Sequence, residues 1–272
     1  MVANGIKRVA VLFAHRILTS RIACRVCRHP TNVVFLGSRI CIKSCGLTTL
    51  AEAEAMRFVS ANTTVPVPKV HLAFEHKNRV YIVMERVKGK TLSVGWMKRS
   101  PESKERVFRQ LQSMIREIRN LKAPDGTGVA NVLGGPICDQ RLPGQTHWGP
   151  FESIRDFHRT LRSNIELENI KEAGAVSEEL GALVRFHEGL ASTPIFTHGD
   201  LSSFNILAEG DQITAIIDWE TAGWMPSYWE YTSAWNANPQ NRFWQHEVDK
   251  FLDPQPRGLE MEAIRRRYFG DF

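Results

Sequence analysis

The sequence of 272 residues contains no aspartate or glutamate before Glu52. Eight lysines and arginines lie in that segment, which therefore carries a charge of +8, whereas the whole chain carries +6. The remaining residues together carry −2, the difference between these two values. The basic character thus belongs to the N-terminus, and neither a nucleic-acid-binding motif nor interleaved aromatic residues accompany it. We expect no nucleic acid among the partners.

Long apolar runs are also missing. The longest one near the start covers residues 9–14, far short of the ~20 residues that span a bilayer, so we expect no membrane association. Residues 1–30 form a basic extension for which two interpretations fit. An arginine-rich, acid-free and mildly amphipathic segment is typical of a mitochondrial transit peptide. In the other interpretation the segment is a poorly ordered extension or a wrong gene start, and the protein is cytoplasmic.

The chain has five cysteines, so they cannot all be paired in disulfides within it. An odd count without a secretory signal favours reduced thiols. Cys24, Cys27 and His29 have the spacing of zinc ligands, and Cys41 and Cys45 would complete a four-ligand site. The alternative is that Cys41 and Cys45 are small apolar residues of a strand.

Residues 31–88 are predicted to form a small, mostly antiparallel β unit with one helix. Strands are predicted at 32–36, 39–43, 70–74 and 79–86. Gly37 and Ser38 form a two-residue turn between the first two strands. Residues 49–60 have helical periodicity, and Glu52 lies on their apolar face.

Residues 89–272 are predicted to be mainly helical. Ser100 and Pro101 are typical of the cap and first position of a helix. A loop is expected at 123–150, helices at 151–168 and 176–191, and a β segment at 204–218. The fold class is therefore α+β, with a small β-rich N-terminal lobe and a helical C-terminal lobe, and we expect a monomer. A cleft between two lobes is a common ligand site.

The segment THGDLSSFNIL (197–207), followed by IIDWE (216–220), carries the residues suited to chemistry. A hairpin turning at residues 209–212 would bring Asn205, before its first strand, beside Asp218, after its second. Amide and carboxylate oxygens are the hard ligands that Mg²⁺ prefers. Asp200 enters the same place and would accept a proton from an attacking hydroxyl. The alternative is that each of these residues only caps a turn or ends a strand.

This pair of segments resembles the catalytic and metal-binding loops of the aminoglycoside phosphotransferase and choline kinase group, within the protein-kinase-like fold. The resemblance implies that Asp200 is the catalytic base and that Asn205 and Asp218 hold Mg²⁺. His-Gly-Asp and Asp-Trp-Glu favour small-molecule kinases over protein kinases. The expected cofactors are ATP and Mg²⁺.

Such folds also need a strand lysine on the nucleotide phosphates, held by a helix glutamate. Lys43 lies within an apolar predicted strand, and Glu52 would supply its partner, with Glu54 as the rival. The alternative for Lys43 is an exposed position on an edge strand. Residues 83–87 resemble the hinge between lobes, so the candidates for adenine contact are Met84, Glu85 and Val87.

The resemblance fails at the start of the chain, where no Gly-rich, phosphate-covering loop precedes Lys43. Either residues 1–31 replace it, or the protein is a catalytically weak or inactive pseudokinase-type binding module. A third interpretation is a metal-dependent hydrolase that uses Asp200, Asp218 and His198.

Four tryptophans lie in the stretch 219–236, together with Glu220, Tyr228 and Glu230. They would hold an amine-bearing acceptor by cation–π and charge contacts, or they simply pack in the core. We expect an ATP- and Mg-dependent phosphotransferase acting on a hydroxyl of a small molecule whose identity the sequence leaves open.

Overall fold

The structure is a computed structural model that describes residues 2–20, 32–170, 174–237 and 242–270. Its helices are α1 Val2–Leu18, α2 Leu50–Asn62, α3 Pro101–Arg119, α4 Ile154–Leu161, α5 Ala175–Glu188, α6 Trp229–Asn236, α7 Arg242–Val248 and α8 Pro256–Phe269. Its strands are β1 Val33–Leu36, β2 Ile40–Lys43, β3 Val70–His76, β4 Arg79–Glu85, β5 Lys90–Thr91, β6 Ala130–Asn131, β7 Ile137–Cys138, β8 His147–Trp148, β9 Ile195–Thr197, β10 Ile206–Glu209, β11 Gln212–Ile216 and β12 Gly223–Met225.

The N-terminal strands form the predicted antiparallel sheet, which has four strands in the order β1-β2-β4-β3. The β1–β2 connection has three residues instead of the predicted two, because Leu36 pairs with Ile40. Between β3 and β4, Lys77 and Asn78 have φ values of 51° and 56°. Two successive left-handed residues match the right-handed twist of a hairpin, which explains why this turn is tight.

Helix α2 has the predicted buried face, made by Glu52, Ala55, Met56 and Val59. It packs against β3 and β4 on one side. On another side it contacts the 3₁₀ turn at Trp219–Thr221, which belongs to the C-terminal half of the chain. This helix therefore connects the sheet to the loop that follows the β10–β11 hairpin.

Helix α1 packs against the sheet through His15, whose ring contacts Tyr81 at 5.2 Å between centroids. Tyr81 neighbours Ile82, and Ile82 pairs with Lys43 across the sheet. Because side chains alternate between the faces of a sheet, α1 lies on the face opposite to Lys43. The hypothesis that residues 1–31 replace a phosphate-covering loop is therefore wrong for α1, and residues 21–31 lie outside the described part.

The C-terminal part departs from prediction in several places, and it contains the unpredicted strands β5, β9 and β12. The expected loop at 123–150 contains three two-residue strands, of which β6 and β7 flank a turn and β8 pairs with β7. The helix expected at 151–168 ends at Leu161, since Ser163 and Asn164 take φ values of 51° and 59°. Helix α3 does begin after Ser100, whose hydroxyl accepts a hydrogen bond from the amide of Ser103 at 3.2 Å.

No described helix combines the length and apolar character that crossing a membrane requires. Within the described ranges no three His, Cys, Asp or Glu side chains are grouped as ligands of one metal ion. Cys41 and Cys45 are free thiols, and Cys41 is buried. Cys24, Cys27 and His29 lie outside the described residues, so the zinc site remains a prediction.

Candidate active site

The loop after β9 starts with His198 and Gly199. Gly199 has a φ of 83°, and a Cβ atom there would lie 2.8 Å from the carbonyl oxygen of Thr221. Glycine is required at this position because its φ is left-handed and because no space exists for a side chain. The loop is thereby pressed against the 3₁₀ turn at residues 219–221.

His198 connects the two halves of the site. Its Nδ1 accepts from the backbone amide of Asp200 at 3.1 Å, so its Nε2 carries the proton and donates to the carbonyl of Ile217 at 3.0 Å. The ring is fully buried, and burial lowers the pKa of His198 to about 4. His198 is therefore neutral, and its hydrogen bonds join the loop of Asp200 to the end of the β10–β11 hairpin. The hydrolase interpretation is wrong in using it, because neither ring nitrogen is available to a metal or to water.

Asp200 has one engaged and one unengaged carboxylate oxygen. Its Oδ2 accepts from the Nδ2 of Asn205 at 2.8 Å, whereas its buried Oδ1 has no hydrogen-bond partner within the described residues. Burial raises the pKa of Asp200 to about 6, an effect that Arg141 opposes and Asp218 reinforces. A buried oxygen without a partner is costly, and such groups are concentrated at functional sites. This geometry suits a base that receives a proton from a bound hydroxyl.

Asn205 and Asp218 meet where the β10–β11 hairpin begins and ends. Ile206 pairs with Ile216, and the amide of Ile217 donates to the carbonyl of Asn205 at 2.9 Å. The hairpin therefore brings the two residues together as the sequence predicts. Asp218 has a φ of 65° and a ψ of 63°, a sparsely populated conformation that is typical of functional sites.

The donor set at this junction fits Mg²⁺. The Nδ2 of Asn205 donates to the carbonyl and carboxylate of Asp200, which leaves its Oδ1 as a ligand oxygen. The side chain of Asp218 is 38% exposed and thus accessible from solvent. Two hard oxygen ligands with room for phosphates and waters are what Mg²⁺ takes in phosphotransfer sites.

Lys43 lies beside this junction and contacts three carboxylates. Its Nζ donates to Glu52 at 2.8 Å, to Asp218 at 2.5 Å and to Glu220 at 3.2 Å. Burial lowers the pKa of Lys43, but the three carboxylates outweigh this and raise it above its ordinary value. Lys43 is 6% exposed, so the alternative of an exposed edge lysine is wrong. With all three carboxylates ionised, this cluster of one ammonium and three carboxylates has a formal charge of −2.

Glu52 is the partner of Lys43, as expected, and Glu54 is not. Glu52 is 1% exposed, whereas Glu54 pairs with Arg57 on the exposed face of α2. Burial raises the pKa of Glu52, and the ammonium of Lys43 opposes that rise. Glu220 was missing from the predicted phosphate-binding set. The Asp-Trp-Glu motif could have indicated this role, because it places Glu220 two residues after Asp218.

The predicted hinge, residues 83–87, covers the end of β4 and the two residues after it. Met84 is buried in that strand, and Glu85 is its exposed last residue. The amide of Glu85 donates to the carbonyl of Lys69 at 2.9 Å, and that of Arg86 donates to Arg39. Within the described part of the chain, the amide of Val87 has no backbone acceptor. Val87 is thus the predicted hinge residue whose backbone N–H is free to bind an adenine.

Most of the aromatic stretch at 219–236 is buried. Glu230 is 1% exposed, and its carboxylate accepts from the backbone amides of His198 at 2.7 Å and Gly199 at 3.0 Å. Burial raises the pKa of Glu230, and these two hydrogen bonds oppose the rise. The buried indoles in this stretch are those of Trp219, Trp224 and Trp229. The expectation of core packing is confirmed for these residues, and the amine-binding role of Glu230 is wrong.

Two further residues at the site escaped prediction because they lie in the expected loop. Asp139 is 3% exposed, and Arg141 donates to its carboxylate from Nε at 2.8 Å and from Nη2 at 2.7 Å. Arg141 also donates to the carbonyl of Gly199. Neither residue lies in a recognisable motif.

The profile of the phosphotransferase enzyme family (APH) matches residues 47–268, which is most of the chain. The chain belongs to this family. A related protein, the aminoglycoside 3'-phosphotransferase of Niallia circulans, is 25% identical over 189 residues, which are 69% of this chain. The match spans 63% of the length of that relative.

Solved structures of phosphotransferases share the fold. A thermostable variant of aminoglycoside phosphotransferase APH(4)-Ia, in complex with AMP-PNP and hygromycin B, matches with a TM-score of 0.53 and 16% identity, over 86% of this chain and 88% of that one. The streptomycin–ATP complex of APH(2")-IIa matches with a TM-score of 0.53 and 12% identity, over 86% and 76% of the two chains. These similarities confirm the predicted two-lobed α+β fold of this phosphotransferase family member.

Proposed function

We propose that the protein transfers the γ-phosphoryl group of Mg·ATP to a hydroxyl of a small molecule. The observation that carries this proposal is the formal charge of −2 at Lys43, Glu52, Asp218 and Glu220, beside the unpartnered oxygen of Asp200. A divalent cation would neutralise that excess, and phosphate oxygens would complete its ligands. Membership of the phosphotransferase family supports the same reaction class.

In the proposed reaction, the bond between the γ-phosphorus and the oxygen bridging to ADP breaks, and a bond to the acceptor oxygen forms. The acceptor hydroxyl gives its proton to the carboxylate of Asp200, which later releases it to solvent. Lys43, held by Glu52, orients the nucleotide phosphates. Mg²⁺ held by Asn205 and Asp218 would supply positive charge to the phosphate oxygens. Positioning and charge neutralisation account for most of the rate enhancement in such transfers.

The acceptor belongs to the small molecules with a free hydroxyl. The structurally similar phosphotransferases are described with hygromycin B, streptomycin and gentamicin as bound compounds. Their low sequence identity makes an aminoglycoside only one class to be screened here.

Calorimetric titration of ATP, with and without Mg²⁺, tests the proposal. We expect Mg-dependent binding to wild type, a loss of at least about tenfold in affinity in Asp218→Ala, and unchanged binding in the control Glu209→Ala, at the far end of the hairpin. Asp200→Ala should bind Mg·ATP like wild type and lose turnover in an acceptor screen that reads ADP formation. Absence of Mg·ATP binding in wild type would contradict the proposal.

A second candidate is a binding module without phosphotransfer activity. The observation that favours it is that α1 lies on the sheet face opposite to Lys43, and that the described residues before Lys43 contain no glycine-rich segment. This candidate predicts weak or absent Mg·ATP binding in the same titration, and equal behaviour of wild type and Asp218→Ala.

A further inference from the structure

The side chain of Arg141 lies on the loop after β7 and reaches the loop that carries Asp200. Its Nη2 donates to the carbonyl oxygen of Gly199, and its Nη1 donates to the carbonyl of Ser233 in α6 at 3.1 Å. One guanidinium therefore links three segments of the chain that are far apart in sequence. These are the loop after β7, the candidate catalytic loop, and α6.

Asp139 fixes the direction of that guanidinium. It receives Nε and Nη2 in a two-pronged contact, and its Oδ1 also accepts the backbone amide of Arg141 at 2.9 Å. Both partners are anchored within one short turn, so few rotamers remain for the arginine. Burial alone lowers the pKa of Arg141, but Asp139 outweighs burial and raises it, so the side chain is a permanent cation.

The peptide unit between Gly199 and Asp200 is held at both ends. Arg141 binds its carbonyl, and the Nδ1 of His198 accepts from its N–H, which is the amide of Asp200. The preceding N–H, that of Gly199, is bound by Glu230. Because a peptide unit is planar, fixing its C=O and its N–H fixes the position of the next Cα atom. The side chain of Asp200 starts from that atom, and its carboxylate is held by the Nδ2 of Asn205.

We propose that Arg141, aimed by Asp139, is a positioning residue that holds the Gly199–Asp200 peptide plane and thereby directs the carboxylate of Asp200 at the acceptor. This role rests on the proposed phosphotransfer function, since only that function requires Asp200 to be directed. Arg141 does not itself touch the reacting atoms. A purely structural ion pair would stabilise the fold without controlling the geometry of the loop.

Hydrogen exchange of the nucleotide-free protein tests the contact without any activity. In Arg141→Met we expect the amides of residues 197–207 to exchange at least about tenfold faster, while those of α3 keep the wild-type rate. The matched control is Arg99→Met, because Arg99 also binds a carboxylate, that of Asp211, and a glycine carbonyl, that of Gly210, at the opposite end of the hairpin. Wild-type exchange at 197–207 in Arg141→Met would overturn the proposal.

Mg·ATP hydrolysis, with water in place of the unidentified acceptor, tests the consequence. When the rate is expressed per ATP-binding site, kcat should fall about 100-fold in Arg141→Met, because displacing the carboxylate of Asp200 by about 1 Å reduces the rate by about that factor. The KM for ATP should change less than about twofold. Ethylguanidinium should restore part of kcat in Arg141→Ala and none in Arg99→Ala. Equal loss of kcat in Arg141→Met and Arg99→Met would refute a positioning role.

Two further outcomes remain decisive. If Arg141→Met does not fold, Asp139→Asn replaces it as the test variant. It keeps the arginine but removes one of the two hydrogen bonds between the side chains of residues 139 and 141, and it should show the same changes to a smaller degree. If wild type fails to bind Mg·ATP, the proposed function is wrong, while hydrogen exchange still decides whether Arg141 holds the loop.

Discussion

Two glutamates of α2, Glu52 and Glu54, lie two residues apart and have opposite surroundings. Glu52→Gln should weaken ATP binding, because Lys43 loses its buried ionic partner and is then held only by Asp218 and Glu220. Glu54→Gln removes an exposed pair with Arg57 and should leave ATP binding unchanged. ATP titration of both variants measures the difference, and similar losses of affinity in the two would contradict this assignment.

Glu230 accepts two backbone hydrogen bonds, a task that a glutamine cannot perform. In Glu230→Gln one oxygen is replaced by an NH₂ group, which would face the N–H of His198 or Gly199. We expect a loss of about 1–3 kcal/mol in the free energy of unfolding and a lower kcat, since the catalytic loop shifts. Urea unfolding and an ATPase assay check this, with the exposed Glu260→Gln as control. A variant with unchanged stability would show that the loop is held otherwise.

The site residues that the sequence predicts are close to one another along the chain or lie on regular helices and strands. Asp200, Asn205 and Asp218 lie within one loop–hairpin unit, and Lys43 and Glu52 lie on adjacent elements of the sheet lobe. Glu220, Glu230 and Arg141 act through contacts that join distant segments: Lys43 and Glu220 are 177 positions apart, and Arg141 and Gly199 are 58 apart. A single sequence carries no signal for such pairings beyond a motif that contains one of the partners.

At the scale of elements, periodic segments were predictable and short ones were not. The three predicted hairpins, β1–β2, β3–β4 and β10–β11, have β-rich or apolar runs, and helices α2 and α3 have helical periodicity. Strand β6 has only two residues, and its pairing with β12 depends on a segment about 90 positions later. Helix α4 stops early because two successive polar residues, Ser163 and Asn164, adopt left-handed backbone angles, which the helical periodicity around them does not reveal.

The start of α3 offers a test of the cap that the sequence predicts. Ser100→Ala removes the hydroxyl that accepts the amide of Ser103, and should lower the free energy of unfolding by about 1 kcal/mol. Ser113→Ala, at an exposed position inside the same helix, should be neutral or slightly stabilising, because alanine is the better helix former. Urea unfolding of the pair isolates the capping contribution, and equal losses would show that the hydroxyl of Ser100 contributes nothing.

The stability of the whole molecule should depend on two histidines that take no part in the proposed chemistry. The rings of His158 and His187 are stacked at 4.0 Å between centroids, and both are buried. Burial, aided by Arg162, lowers the pKa of His158 to about 3. Burial, aided by His158, Arg162 and Arg265, lowers the pKa of His187 well below its ordinary value. The hydroxyl of Tyr228 is hydrogen-bonded to His158.

The sign of the resulting pH dependence follows from proton uptake. The unfolded chain binds protons at both histidines below about pH 6.5, whereas the folded protein keeps them neutral down to about pH 3 for His158. The free energy of unfolding should therefore fall as the pH drops from about 6.5, by about 1.4 kcal/mol per histidine and pH unit. In His187→Leu, the slope of the free energy of unfolding against pH should be lower between pH 6 and 5. The decrease should equal the contribution of one histidine, ~1.4 kcal/mol per pH unit. The exposed His246→Gln should keep the wild-type slope, and a wild-type slope in His187→Leu would mean that His187 is protonated within the fold.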